Sequence, residues 1–228
     1  MTSPVTVVGG AGRTGRLIVA DLLAQGVEVR VVSRRAGRAA DLRSRGVATF
    51  DADVRDGRGL DAALAGSAGV VYLVEPGTAN SGPDRPETTL YQGVRNVLAA
   101  CSPQLERFVL VSSIYVTRPD HYFNEWGRLL DWRLRGEDAV RASGFPYTVV
   151  RPSWLTDEPA GRAGVRLERG DRGDGKISRS DVAQACVHAL SSPAAVGLTF
   201  EMYTDPGVAR EPWEALFAGL AKEPAPGG

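Results

Sequence analysis

Cysteine, lysine and histidine are nearly missing from this chain of 228 residues, and no long apolar run is present. The two cysteines, Cys101 and Cys186, have no CxxC spacing and no histidine beside them. That excludes a disulfide framework and a metal site, and leaves two small apolar residues of predicted helices in a reducing compartment. Lys176 and Lys222 are the only lysines, and His121 and His188 the only histidines. No apolar stretch approaches the roughly 18 residues of a membrane span, and the first strand begins within four residues of the N-terminus. Neither a membrane segment nor a signal peptide is expected, and a cytoplasmic location follows. An excess of one charge is also missing: 27 basic residues balance 27 acidic ones, so nothing argues for nucleic acid or an anionic membrane as partner.

What is present begins at residue 5. Strand-forming residues 5–8 run into the glycine-dense turn Gly9-Gly10-Ala11-Gly12-Arg13-Thr14-Gly15, and a helical pattern then continues to Gly26. Gly10, Gly12 and Gly15 fit G-x-G-x-x-G, and Gly9, Gly12 and Gly15 fit its three-residue variant. In a strand–turn–helix context either spacing lets backbone amides at a helix N-terminus approach a pyrophosphate with no Cβ in the way. Gly9, Gly10, Gly12, Arg13, Thr14 and Gly15 are therefore the first cofactor candidates. The pattern then alternates: strands over 27–32, 47–50, 70–74, 108–111 and 147–150, helices over 36–45, 57–65, 88–100 and 124–143, and a Gly/Pro-rich loop over 75–86. Residues 70–74 are almost all apolar, as expected of a strand buried on both faces. This predicts a doubly wound parallel α/β sheet with right-handed crossovers, one domain over 1–222. Substrate-side elements fall mainly in 152–222: a loop to Gly164, a short strand at 165–169, a turn at 170–175, a helix over 182–190, a strand at 198–203 and a helix over 213–220. Ser178 and Asp181 have the spacing of a capping box, and residues 223–228 are predicted to be a disordered tail.

Cofactor choice is read at the end of the second strand. A site for NAD wants a carboxylate there for the ribose 2′-hydroxyl, whereas this chain has Ser33, Arg34 and Arg35, whose guanidinium groups suit the 2′-phosphate of NADP(H). The motifs GGAGRTGR, ADVRD, LVSS, RASGFPYTVVRP, LTDEP and ISRSDVA, spread in order from residue 5 to about 203, resemble the atypical short-chain dehydrogenase/reductases of the NAD(P)H-binding, NmrA-like and biliverdin-reductase-B-like kind. The resemblance implies a Rossmann fold, Asp53 and Val54 flanking the adenine, and Leu73, Val74 and Glu75 under its ribose side. It further implies that Arg38 adds a phosphate contact and that Ser112, Ser113, Pro152 and Ser153 surround the nicotinamide.

The chain departs from the larger family's pattern at the proton donor. The residues four beyond its tyrosines are Pro76, Arg95, Pro119, Trp126, Arg151 and Gly207, so no Tyr-x-x-x-Lys pair exists. The helix positions where that pair would be sought hold Leu129 and Arg133; Arg133 can bond a ribose, but leucine gives no proton. A dedicated acid contributes roughly 10²- to 10⁴-fold in rate, so the chemistry has to avoid needing one. Flat conjugated acceptors such as quinones or tetrapyrroles, and internally hydrogen-bonded ketones of secondary metabolism, do so. Ser113 is the leading catalytic candidate, followed by Tyr115 and by Trp154 as a stacking surface; Tyr122 and His121 are looser candidates. The expected activity is NADPH-dependent reduction of an aromatic or conjugated small molecule by a monomer or homodimer. A redox-sensing NmrA-like regulator and a non-redox cyclase or isomerase with structural NADP remain alternatives.

Overall fold

In the computed structural model, which describes residues 3–34, 39–77, 79 and 81–222, the apolar runs become an eight-stranded sheet. The strands are β1 (Val5–Val8), β2 (Val29–Ser33), β3 (Ala48–Asp51), β4 (Gly69–Tyr72), β5 (Arg107–Val111), β6 (Tyr147–Pro152), β8 (Gly164–Glu168) and β10 (Thr199–Asp205). Their order is β3-β2-β1-β4-β5-β6-β10-β8. Every pairing in this sheet is parallel except that of the edge strand β8, which runs antiparallel to β10. The predicted parallel sheet thus gains one antiparallel edge. Two three-residue strands, β7 (Trp154–Thr156) and β9 (Lys176–Ser178), form a separate parallel pair. β7 lies inside the stretch that reads as a loop to Gly164 and β9 just past the turn at 170–175; neither is predicted as a strand, because three residues are too few to show an alternation.

Side-chain alternation explains why the central strands are apolar throughout. Val5 and Val7 of β1 enter one core and Val8 the other, and Val70 and Tyr72 of β4 divide from Val71 in the same way. One face is covered by α1 (Arg13–Ala24), α2 (Ala40–Arg43), α6 (Arg179–Ser191) and α7 (Trp213–Lys222). The other is covered by α3 (Leu60–Leu64), α4 (Val94–Ala100) and α5 (Leu129–Arg141). No helix among the described residues is long and apolar enough to cross a membrane. Ser178 is the N-cap of α6, its hydroxyl accepting from the Asp181 N–H at 2.9 Å; the Asp181 carboxylate reaches back to that hydroxyl, which donates to it at 2.7 Å, in place of the backbone N–H of a full capping box.

Two predicted helices are built differently. Over 88–100 only the second half is α-helical; residues Glu87–Gly93 form a π-helix, in which the Thr89 carbonyl accepts from the Tyr72 hydroxyl at 2.7 Å. The helix expected over 124–143 starts later. A 3₁₀ turn at Tyr122–Glu125 is followed by Gly127 (φ 62°) and Arg128 (φ 58°), whose left-handed backbone cannot continue a helix. The Asn124 side-chain Oδ1 instead caps α5 from outside, accepting from the N–H groups of Leu130 at 2.9 Å and Asp131 at 3.2 Å. The expectation of a disordered tail at 223–228 lies outside the described residues.

Helix α5 crosses the π-helix at Gly136, where a Cβ would stand 2.1 Å from the Leu90 carbonyl oxygen. Gly136→Ala should therefore force the two helices apart and cost about 1–3 kcal/mol despite alanine's better helix propensity. The check is a lowered urea midpoint at unchanged m-value.

Candidate cofactor and substrate site

Reversal of strand order between β1 and β4 opens a crevice at the carboxyl ends of the strands, where doubly wound sheets bind ligands. The crevice has a volume of about 570 Å³. Its floor is the glycine-rich turn: Gly9, Gly12, Arg13, Thr14 and Gly15 all line it. Gly10 lies behind, where a Cβ would meet Val31 at 2.8 Å. Gly12 occupies the N-cap of α1 and has no side chain with which to cap it, so the first-turn N–H groups face the crevice with the positive end of the helix dipole.

At one end Ser33 and Arg34 from β2 meet Val54 and Ala52 from the loop after β3. Arg34 is half-exposed, 3.5 Å from the Asp84 carboxylate. Arg35 and Arg38 lie outside the described residues. Asp53 does not line the crevice; its carboxylate takes three hydrogen bonds from the Arg55 guanidinium at 2.6–3.0 Å. Partial burial works against its charge, yet Arg55 holds the carboxyl below the usual range. Asn96, which the sequence did not single out, positions this loop by donating to the Val54 carbonyl at 2.8 Å.

In the middle, Leu73, Val74 and Glu75 follow β4, and the Arg133 guanidinium from α5 meets the Glu75 carboxylate at 2.6 Å. The Arg133 Nε is buried without a partner. At the far end Ser112, Ser113, Pro152 and Ser153 line the walls. The Ser112 hydroxyl turns away and donates to Glu137 at 2.5 Å, whereas the Ser153 hydroxyl is buried, faces the crevice and has no partner in the protein.

Tyr115 and Trp154 are not among the lining residues but stand beside this end. The Tyr115 hydroxyl donates to Asp174 at 2.5 Å and accepts from the Trp154 indole N–H at 3.2 Å. Burial and then the Asp174 bond push this phenol up to about 12. His121 is stacked between Tyr115 and Tyr122, with its Nδ1 accepting from the Phe123 N–H at 3.2 Å. Leu155, Arg179 and Val182 line the crevice without having been anticipated. Arg179 begins α6 and donates to Asp157 at 2.6 Å; the same carboxylate lies 3.4 Å from Arg13 on the glycine-rich turn. ISRSDVA reads first as a helix start, and the clue to Arg179 was a cation at a helix N-terminus, where the dipole opposes it.

The residues present suit a dinucleotide. A Cβ at Gly12 would meet only Gly9 O at 3.3 Å, so the bareness of that position serves something outside the chain's own packing, and the uncapped helix end and orphaned Ser153 hydroxyl are further polar sites awaiting partners. Fold and site together define a dinucleotide-binding protein of the Rossmann class.

The NAD(P)H-binding family matches the chain over residues 9–193, and the chain belongs to it. Sanguinarine reductase of Eschscholzia californica is 30% identical over 143 residues, 58% of this chain and 52% of that protein. The NAD(P)H azoreductase of Xenophilus azovorans is 30% identical over 196 residues, 83% of this chain and 64% of that protein. The chain thus spans about half to two thirds of these relatives' lengths. ChuY, an anaerobillin reductase from Escherichia coli O157:H7, superposes with a TM-score of 0.75 at 21% identity, covering 91% of this chain and all of that one, a likeness of fold.

If Arg179 and Arg13 both serve a pyrophosphate, Arg179→Gln should weaken NADPH and NADH alike, by about tenfold each, because both carry that group. Calorimetric titration of the two cofactors measures it; a loss confined to one of them would place Arg179 elsewhere.

Proposed function

We propose that the chain is an NADPH-dependent reductase that delivers hydride to a flat conjugated acceptor, of carbonyl or quinone-like chemistry, without a dedicated proton donor. The observation that carries this reading is the composition of the crevice: a dinucleotide cradle at one end and, among the described lining residues, no Tyr, His, Lys, Cys or Asp. Names of relatives agree in kind, since sanguinarine, azo compounds and quinones are what three of them are named for reducing or oxidising.

Bound NADPH would supply the hydride. The protein's part is binding and orientation. The amides at the start of α1 and the side chains of Arg13 and Arg179 hold the pyrophosphate, Arg34 and Ser33 the adenosine phosphate, and Val54 packs against the base. Arg133 reaches the ribose, and Ser153 and Pro152 fix the nicotinamide, with Ser113 as the hydroxyl nearest the acceptor. Leu155 and Val182 add apolar lining on which a flat acceptor can rest.

Two measurements test this. NADPH oxidation with quinones, flavins and polycyclic ketones, on protein shown to bind NADPH, is expected to exceed the uncatalysed rate for at least one class. Silence across the panel would leave a redox-sensing role as the better account. Arg34→Ala should weaken NADPH by about ten- to a hundredfold, the worth of a charge-assisted contact, while NADH changes little. Wild type that prefers NADH would defeat the assignment of Arg34.

A further inference from the structure

Hydride carries one negative charge, so its addition to a neutral carbonyl or quinone leaves an anion that must then take a proton. Addition to a delocalised organic cation leaves a neutral molecule and needs none. The lining of the crevice suits the second case. Among the described lining residues the hydroxyls belong to Thr14, Ser33, Ser112, Ser113 and Ser153; the carboxylate, Glu75, is ion-paired with Arg133; the other charged side chains are arginines, which do not release protons. The nearest phenol, Tyr115, has its proton committed to Asp174, and the His121 ring stacks on Tyr115 and Tyr122 with its Nδ1 taken by the Phe123 N–H.

Next to Ser153 and Leu155 the chain exposes an aromatic surface. Trp154 is 45% exposed, Tyr122 50% and Trp126 42%, and the Phe123 ring joins them, 5.5 Å from Trp154 and 5.0 Å from Trp126. Contiguous exposed aromatic surface of this kind marks a binding site rather than core, and the faces of such rings attract cations. A carboxylate stands at its edge: Asp174 is exposed and bonded to the Tyr115 hydroxyl, which is also within reach of the Trp154 indole. Among the described residues the cation over this cluster is Arg118, 4.6 Å from the Tyr115 ring, and its N–H groups are spent on the carbonyls of Asp171 and Gly173. Trp154, Tyr122 and Trp126 are left to a ligand.

We propose that the acceptor taken at this mouth is a flat aromatic cation, an iminium or N-alkylated heteroaromatic, seated on Trp154 and its neighbours with Asp174 as its counter-charge. This rests on the hydride-transfer reading above and replaces its carbonyl or quinone-like acceptor with a cationic one. In the transfer, one C–H bond of the reduced dinucleotide breaks and its electron pair forms a C–H bond at the electron-poor carbon of the cation. The dinucleotide is oxidised, the acceptor becomes its neutral dihydro form, and no proton moves.

N-methylacridinium and acridine present nearly the same ring area, and at mildly alkaline pH only the first is charged. Each is titrated into the dinucleotide-free protein by calorimetry, and NADPH oxidation is then followed with each, relative to the uncatalysed rate and to a naphthoquinone. The cation is expected to bind at least about fivefold tighter than acridine, the scale of a cation–π contact assisted by a carboxylate. Asp174→Asn should abolish that preference, and Trp154→Ala should weaken both ligands, with NADPH affinity as the measure of intact folding. Turnover should be faster with the cation than with the quinone. Equal binding of the two ligands, or a preference that survives Asp174→Asn, would overturn the assignment, and quinone reduction in the same protein would show that the reductase reading stands without it. Cation-selective binding with no oxidation of any acceptor would support the cation site and defeat the reductase reading.

Discussion

Backbone contact between the end of β1 and the first turn of α1 is the constraint from which the rest of the site follows. A Cβ at Gly15 would stand 2.5 Å from the Gly9 carbonyl oxygen and 2.7 Å from the Gly10 Cα. Gly9 itself has φ +96° and sits against the Leu73 carbonyl, so it joins the turn to the end of β4. Gly10 does the same toward Val31 of β2. Three bare positions thus lock three adjacent strand ends and one helix N-terminus into a single unit, at the point where the strand order reverses. At Gly9 and Gly15 a Cβ would displace backbone, and at Gly10 it would displace the Val31 side chain.

The opposite wall is held by charge. Glu137 of α5 is fully buried; its carboxylate takes hydrogen bonds from Arg151 of β6 at 3.0 and 2.6 Å, from Arg141 at 2.6 Å and from the Ser112 hydroxyl at 2.5 Å. Arg151 also reaches Glu201 of β10 at 2.8 Å. Burial works against the Arg151 charge, yet the two carboxylates hold this guanidinium above its ordinary range, while burial raises Glu201. Such a network adds little net stability over an apolar core, but removing one member costs about 3–5 kcal/mol because it strands the others. Its consequence is positional: α5, β5, β6 and β10 are pinned directly behind Ser112 and Ser113, so the crevice wall cannot slide.

What the sequence disclosed followed from periodicity and glycine spacing. The strands of the parallel sheet were readable because burial on both faces makes them apolar throughout, and the cradle because its glycines recur at fixed offsets. The π-helix at Glu87–Gly93 was not, since π- and α-helical turns have similar apolar spacing and the difference lies in contacts to Tyr72 and Gly136, remote in sequence. The late start of α5 was hidden because Arg128, an ordinary helix former, adopts φ 58° there, its left-handed backbone set by tertiary context. Candidate residues were found where motif and strand end coincide. Tyr115 illustrates the limit: its place after β5 is right, but its hydroxyl is engaged by Asp174, 59 positions along the chain.

Helix α6 meets one arginine at each end. At its C-terminal end Arg107 of β5 is buried and donates to the carbonyls of Ala189 and Ser192 at 2.8 and 3.2 Å, which is where the helix dipole favours a cation. At its N-terminal end Arg179 has the opposite sign to the one the dipole favours, and Asp181 of the same turn is already occupied by Ser178 and Arg210. Arg179 is nonetheless nearly buried and oriented toward Asp157 and the crevice. The Asp157 carboxylate at 2.6 Å supplies the anion that this wrong-signed charge needs, and on the reading proposed above a pyrophosphate on the adjacent amides of α1 would be a second. With Arg13, Arg34 and Arg133, Arg179 makes every cation among the described lining residues an arginine, a side chain that fixes anions and does not release a proton. The scarcity of lysine that opens the sequence therefore has a chemical counterpart in the crevice, whose described cations hold charge in place and, on the reading proposed above, take no part in proton transfer.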